Sequence, residues 1–199
     1  MKLVTRTICC LLLLAIAAGP MRREIRAFGQ STSNPTMLSN QTIEHDGKIE
    51  SKYDGFTHET TITLKKMRVT CGSMKGNWKD ACVSLVAALH CPGIQLDYVR
   101  QASLQLIFQT KDWDQRHPLT QRELSVVADG ETYRLGKMRL ASQSTDTLMT
   151  ETLEVTMPYK TFLKIAKAEV VEMKVGQTQF ELRQQNIVAF RDMVNRVKV

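Results

Sequence analysis

Beyond residue 53, the apolar positions of the chain recur mainly at every second residue. In HETTITLKKMRVTC, Thr60, Ile62 and Leu64 alternate with polar neighbours, and then Met67, Val69 and Cys71 alternate on the opposite parity. Period-two alternation predicts strands buried on one face. The change of parity across Lys65-Lys66 predicts a β-bulge, where one extra residue re-aims the side chains that follow. CVSLVAALHC fits two periods. Val83, Leu85, Ala87 and Leu89 alternate, whereas Cys82, Leu85, Val86 and Leu89 have helical spacing, with Asp80 as N-cap and Pro92-Gly93 as stop. Its strand-like neighbours favour the strand. LQLIFQT, residues 104–110, reads as a short buried strand.

Two hairpins are specified by pattern and turn together. ELSVVADGETYRLG sets Asp129-Gly130 between alternating runs, a type I′ signal. A two-residue loop then pairs Val126 with Tyr133 and Leu124 with Leu135. VVEMKVGQTQFEL carries Gly176-Gln177 as a II′-type turn, pairing Val175 with Thr178, Met173 with Phe180 and Val171 with Leu182. KMRLAS and TLMTETLEVTM are two further strand candidates. PYKTFLKIAKA predicts a short helix opened by Pro158, with Phe162, Ile165 and Ala166 on one stripe. QQNIVAFRDMVNRV predicts a closing amphipathic helix carrying Ile187, Phe190, Val194 and Val197. The expected fold is mainly β (α+β): a two-layer, sandwich-like arrangement of about eight strands, with the short helix and the C-terminal helix packed on it.

Tyr53-Asp54-Gly55-Phe56 ahead of HETTITL, then LQLIFQTKDW, VVADGETYRLG, ETLEVTMPYKTFLKIAKAEVVEMKVGQTQFELR and the closing helix resemble a group of small exported bacterial proteins of uncharacterised function. The resemblance covers residues 53–197 and rests on turns, strands and a helix. It implies a shared fold and supports the strand reading of 82–90. It transfers no catalytic residue and no ligand.

The first residues bear on compartment. MKLVTRTICCLLLLAIAAGP has a basic start at Lys2 and Arg6, an apolar run from Thr7 to Ala18, and Ala15-Ile16-Ala17 as a small-x-small cleavage signal. This is the anatomy of a signal peptide over residues 1–17, which makes the protein exported, to the periplasm or beyond, with no stable membrane span after processing. The alternative is an N-terminal membrane anchor. A spanning helix needs about 20 apolar residues, and this run stops short at Pro20, Arg22 and Arg23; those arginines, however, are charges that favour the cytoplasmic side. Cys9 and Cys10 begin the run, whereas a lipidation cysteine follows it. Residues 18–52, rich in Ser, Thr, Asn and Gln, read as a disordered polar linker, with Asn40-Gln41-Thr42 fitting a glycosylation triplet. A single β-rich domain is expected over 53–199.

The formal charge is +7, and cleavage would lower it by two. Basic residues are interleaved with acids, and aromatics make up 6% of the chain, which disfavours a nucleic-acid groove. Partners are expected among envelope components or other exported proteins. His58-Glu59 opens like a zinc signature, but Ile62 stands where its second histidine belongs. Gly72-Ser73-Met74-Lys75-Gly76 fits neither a nucleophile elbow nor a phosphate loop. No cofactor motif is found. The richest cluster is Asp112-Trp113-Asp114 with Arg116 and His117. It could bind a sugar or a cation, and two carboxylates could do acid–base work on an envelope polymer. The alternative is that Trp113 anchors a loop whose charges face water. The main expectation is an exported, non-catalytic domain that binds or builds; a hydrolase using Asp112 and Asp114 is the second.

Cys71, Cys82 and Cys91 remain after processing. Their spacing suits neither zinc nor a CxxC redox motif. If 60–71 and 82–90 are hairpin partners, Cys71 and Cys82 meet across CGSMKGNWKDAC and can pair in an oxidising compartment, leaving Cys91 free. Parity opposes this bond, because Cys71 shares a face with Met67 while Cys82 lies opposite Val83 and Leu85. Three reduced thiols are the rival state.

Overall fold

Alternation is realised as ten strands and two helices in the computed structural model, which describes residues 44–76, 78, 80–111, 121–144 and 148–198. The strands are β1 (Ile49–Asp54), β2 (Glu59–Cys71), β3 (Cys82–Pro92), β4 (Gln101–Thr110), β5 (Glu123–Ala128), β6 (Glu131–Lys137), β7 (Arg139–Ser144), β8 (Met149–Pro158), β9 (Val171–Val175) and β10 (Thr178–Glu181). The helices are α1 (Tyr159–Lys167) and α2 (Gln184–Asn195). One sheet runs β1-β2-β3-β4-β8-β7 and the other β10-β9-β5-β6, with every pairing antiparallel. The fold is therefore mainly β, sandwich-like, with two helices.

The inner face of the larger sheet carries Ile62, Leu64, Val83, Leu85, Leu89 and Leu106, all fully buried. The smaller sheet has shorter strands, so the helices complete the cover: α1 packs on β4, β5 and β8, and α2 on β2 and α1. Phe162 of α1 meets Phe190 of α2 at 5.1 Å between ring centroids. Between the sheets, Phe108 of β4 meets Phe180 of β10 edge-on at 6.2 Å.

Both turns form as the sequence predicts. Asp129 and Gly130 have φ of 48° and 84°, the doubly positive pair that a type I′ turn requires. Gly176 has φ 56°, and a Cβ there would stand 2.1 Å from the Gln121 carbonyl oxygen. Val175 faces Thr178 and Met173 faces Phe180, while the Leu182 amide donates to the Val171 carbonyl at 2.9 Å. The other hairpin departs by one residue at its base. Val126 does face Tyr133, but Leu124 faces Gly136 rather than Leu135. A bulge absorbs the extra residue, and Gly136 (φ 84°) supplies the left-handed backbone.

Three further differences have plain causes. Order reaches back past Tyr53, because β1 pairs with β2 along its whole length. This edge strand is mostly exposed, with only Ile49 packing on the core, so it shows no alternation to read. Val197 is buried as expected but lies beyond the end of α2. Asn186, polar and fully buried, belongs to the helix's inner side; its Oδ1 accepts from the Arg183 amide and its Nδ2 donates to the Arg68 carbonyl.

Candidate functional site

The bulge expected at Lys65-Lys66 is present: Leu64 faces Ala87 and Met67 faces Leu85, two residues of β2 against one of β3. A second bulge follows between Arg68 and Thr70. Val69 and Thr70 are consecutive and both buried, and the extra residue returns Cys71 to register opposite Cys82. The two cysteines form a disulfide with Cα atoms 4.0 Å apart. The parity conflict is thus removed by a bulge that alternation alone did not reveal. Cys91 is free and buried, and that burial pushes its thiol up, helped by the carboxylates of Glu59 and Asp97. Within the closed loop, Trp78 is fully buried against Phe108 at 5.2 Å. Lys75 exchanges backbone hydrogen bonds with Gln179 of β10, both 3.0 Å. Gly76 (φ 101°) allows this approach, since a Cβ would lie 2.2 Å from the Gln177 carbonyl oxygen.

Asp112, Trp113, Asp114, Arg116 and His117 lie outside the described residues. Among the described residues, no group of three or more His, Cys, Asp or Glu side chains could hold a metal ion, and no helix is long and apolar enough to cross a membrane.

The outer face of the larger sheet is where polar side chains converge. Period two points Thr63, Ala88, Ser103, Gln105, Glu154 and Thr156 outward from adjoining strands. With the end of β6 and Arg139 beside them, they border a groove of about 810 Å³. Its floor is built from β3, β4 and β8, each paired on both sides, so it is rigid. Gln105 Nε2 donates to Glu154 Oε1 at 3.4 Å, and Glu154 also pairs with Arg139. Farther along the same face, Lys66, Arg68, Ser84 and Gln109 border a second hollow of about 590 Å³ beside Cys82. There Lys66 Nζ donates to Gln109 Oε1 at 3.2 Å.

Three residues at the other end of the groove form an array that the sequence did not disclose. His90 Nε2 lies 3.2 Å from Ser103 Oγ, and His90 Nδ1 lies 3.8 Å from Glu59 Oε2. Each residue comes from a different strand, one diagonal step apart: His90 faces Thr61 and Gln101, neighbours of Glu59 and Ser103 by two positions. Serine, histidine and carboxylate in this order invite comparison with a nucleophilic triad. The geometry falls short in two respects. The separation of 3.8 Å is too long for the hydrogen bond that fixes the imidazole, and Glu59 is held by Arg100 at 2.6 Å instead. Ser103 also sits mid-strand between β3 and β8, so the surrounding backbone N–H groups serve the ladders rather than a developing oxyanion. Register is the signal that could have found the group, but it requires both bulges of β2 and the separate pairing of β3 with β4. Compared with protein-family models, curated proteins and solved structures, the chain finds no match in any of the three.

Proposed function

We propose that the protein is an exported, non-catalytic binding domain whose outer sheet face receives a neutral, hydroxyl-rich stretch of an envelope polymer. One observation carries this reading: a groove of about 810 Å³ on a rigid sheet, furnished with Ser103, Gln101, Gln105, Thr63 and Thr156. Hydroxyl and amide groups both donate and accept, so they match the hydroxyls of a glycan, and of the charged lining Glu154 and Arg139 offset each other as an ion pair, leaving Lys137. The disulfide fits an oxidising compartment. The incomplete alignment of Ser103, His90 and Glu59 favours binding over acyl transfer.

Isolated envelope glycan, titrated calorimetrically into the protein, tests the reading. Ala88→Trp fills the groove from its floor and is expected to abolish binding while leaving the melting temperature unchanged. Equal binding by wild type and Ala88→Trp, or none by either, overturns the site. A fluorophosphonate probe is expected to leave Ser103 unlabelled. Labelling that disappears in Ser103→Ala would make the groove a hydrolase site instead.

A further inference from the structure

One end of the larger sheet holds four large apolar side chains in solvent. The turn from β1 to β2 presents Phe56, 99% exposed, with Tyr53 at 39% just behind it. The loop from β3 to β4 presents Ile94 at 72% and Tyr98 at 61%. Register brings the two together. Asp54 faces Glu59 and Glu59 faces Pro92 across three strands. The Gly93 amide donates to the His58 carbonyl at 2.7 Å, and Thr60 Oγ1 donates to the Gly93 carbonyl at 2.6 Å.

The turn is built, not loose. The Phe56 amide donates to Asp54 Oδ1 at 2.8 Å. His58 holds a left-handed backbone at φ 51°, and its Nδ1 lies 3.1 Å from the Tyr53 hydroxyl. None of these contacts uses the Phe56 side chain. The phenyl ring is 99% exposed and packs on nothing in the turn, and it is the grouping with Tyr53, Ile94 and Tyr98 that marks an interaction surface.

We propose that this end of the sheet inserts shallowly into the interface of a lipid bilayer. The order of side chains along the sheet axis matches the polarity gradient of a membrane surface. Phe56 stands in the turn with Tyr53 on the strand behind it, and Ile94 and Tyr98 share the neighbouring loop. The Glu59–Arg100 ion pair lies behind them. Tyrosine, apolar in body and polar at its end, belongs at headgroup depth. Two neighbouring turns at one end of the sheet present these side chains, which suits a deformable lipid surface. Charges near the tip balance, with Lys52, Arg100 and Lys198 against Asp54, Glu59 and Asp97. Binding therefore rests on apolar insertion and extends to zwitterionic lipid. It is independent of the groove.

The buried core described above lies entirely between Ile62 and Val197, so a chain beginning at Gln41 keeps the fold while omitting the apolar N-terminal segment. Cooperative melting checks this. Co-sedimentation with phosphatidylcholine vesicles, with and without phosphatidylglycerol, is the assay. Phe56→Ser with Ile94→Ser is expected to lower partitioning by about tenfold or more, with melting unchanged. Val170→Ser, another exposed apolar position, and the groove variant Ala88→Trp are expected to bind vesicles like wild type. In the full chain, a tryptophan introduced by Phe56→Trp is expected to be quenched by brominated acyl chains. The proposal fails if the wild type ignores both vesicles, if the double variant sediments equally, or if the new tryptophan escapes quenching. Self-association lost in the double variant, without vesicle binding, would make the tip a protein interface and equally overturn it.

Discussion

Removing the bond between Cys71 and Cys82 perturbs the unfolded chain more than the folded one. The cysteines are 11 residues apart, and opening a loop of that size returns about 3 kcal/mol of chain entropy to the unfolded state. The folded state has independent reasons to keep its shape. Trp78, Met74 and Ala81 remain buried, and β2 and β3 stay in register through the rest of their ladder. Cys71→Ser with Cys82→Ser should therefore fold normally and lose about 3 kcal/mol. For a domain of this size that lowers the melting temperature by about 6–12 °C. Urea unfolding, followed by tryptophan fluorescence with and without reductant, measures the loss. Reductant should bring the wild type to the midpoint of the double variant and leave the variant itself unmoved, because Cys91 is already free. A wild type whose midpoint ignores reductant, or a non-reducing peptide map that joins Cys71 to Cys91, would refute the reasoning.

In the second hairpin, Met173→Ala or Phe180→Ala should each cost about 2–5 kcal/mol by urea unfolding, whereas Glu172→Ala, outside the core, should cost about 1 or less despite its bond to Gln179; equal losses would mean the register is wrong. Arg122 and Glu151 form a 2.6 Å ion pair with side chains only 6% and 1% exposed. Glu151→Ala alone should cost about 3–5 kcal/mol, and Glu151→Leu with Arg122→Met should recover most of it; a single-variant loss under about 1 kcal/mol would show the pair to be solvated. Hydrogen bonds from Lys48 and Lys65 hold the Glu50 carboxyl down at about 2, from an ordinary 4.5. The folded pKa is the lower one, so the stabilisation is present above pH 4.5 and is lost as pH falls toward 2. An NMR titration should show this value, and Lys65→Gln or added salt should raise it, since the ion pairs are open to solvent.

Elements whose pattern and turn chemistry agree could be read from the sequence. Asp129-Gly130 and Gly176-Gln177 announced their hairpins, and the Met173–Phe180 pairing followed from the turn alone. What escaped was set by tertiary context. β1 has one apolar anchor, Ile49, and its pairing is backbone hydrogen bonding that any polar sequence can make. The bulge at Val69 hid because the extra buried residue beside it is the polar Thr70, so Met67, Val69 and Cys71 still read as unbroken alternation. Nothing in the sequence marks Glu151 as buried, since its partner, Arg122, lies 29 positions away in the chain. The groove array likewise joins residues from three strands, and only the pairing of those strands makes Glu59, His90 and Ser103 neighbours.

The loop between Cys71 and Cys82 does more than close on itself. β10 is the last strand of its sheet, and an edge strand with unpaired amides is a template for another chain. Lys75 occupies the amide and carbonyl of Gln179 at the middle of that edge. Oxidation of the two thiols thereby fixes a guard over the edge. A chain whose thiols have not yet joined holds this guard by the packing of Trp78 and Met74 alone, and edge-to-edge aggregation of the unoxidised protein is expected to start there.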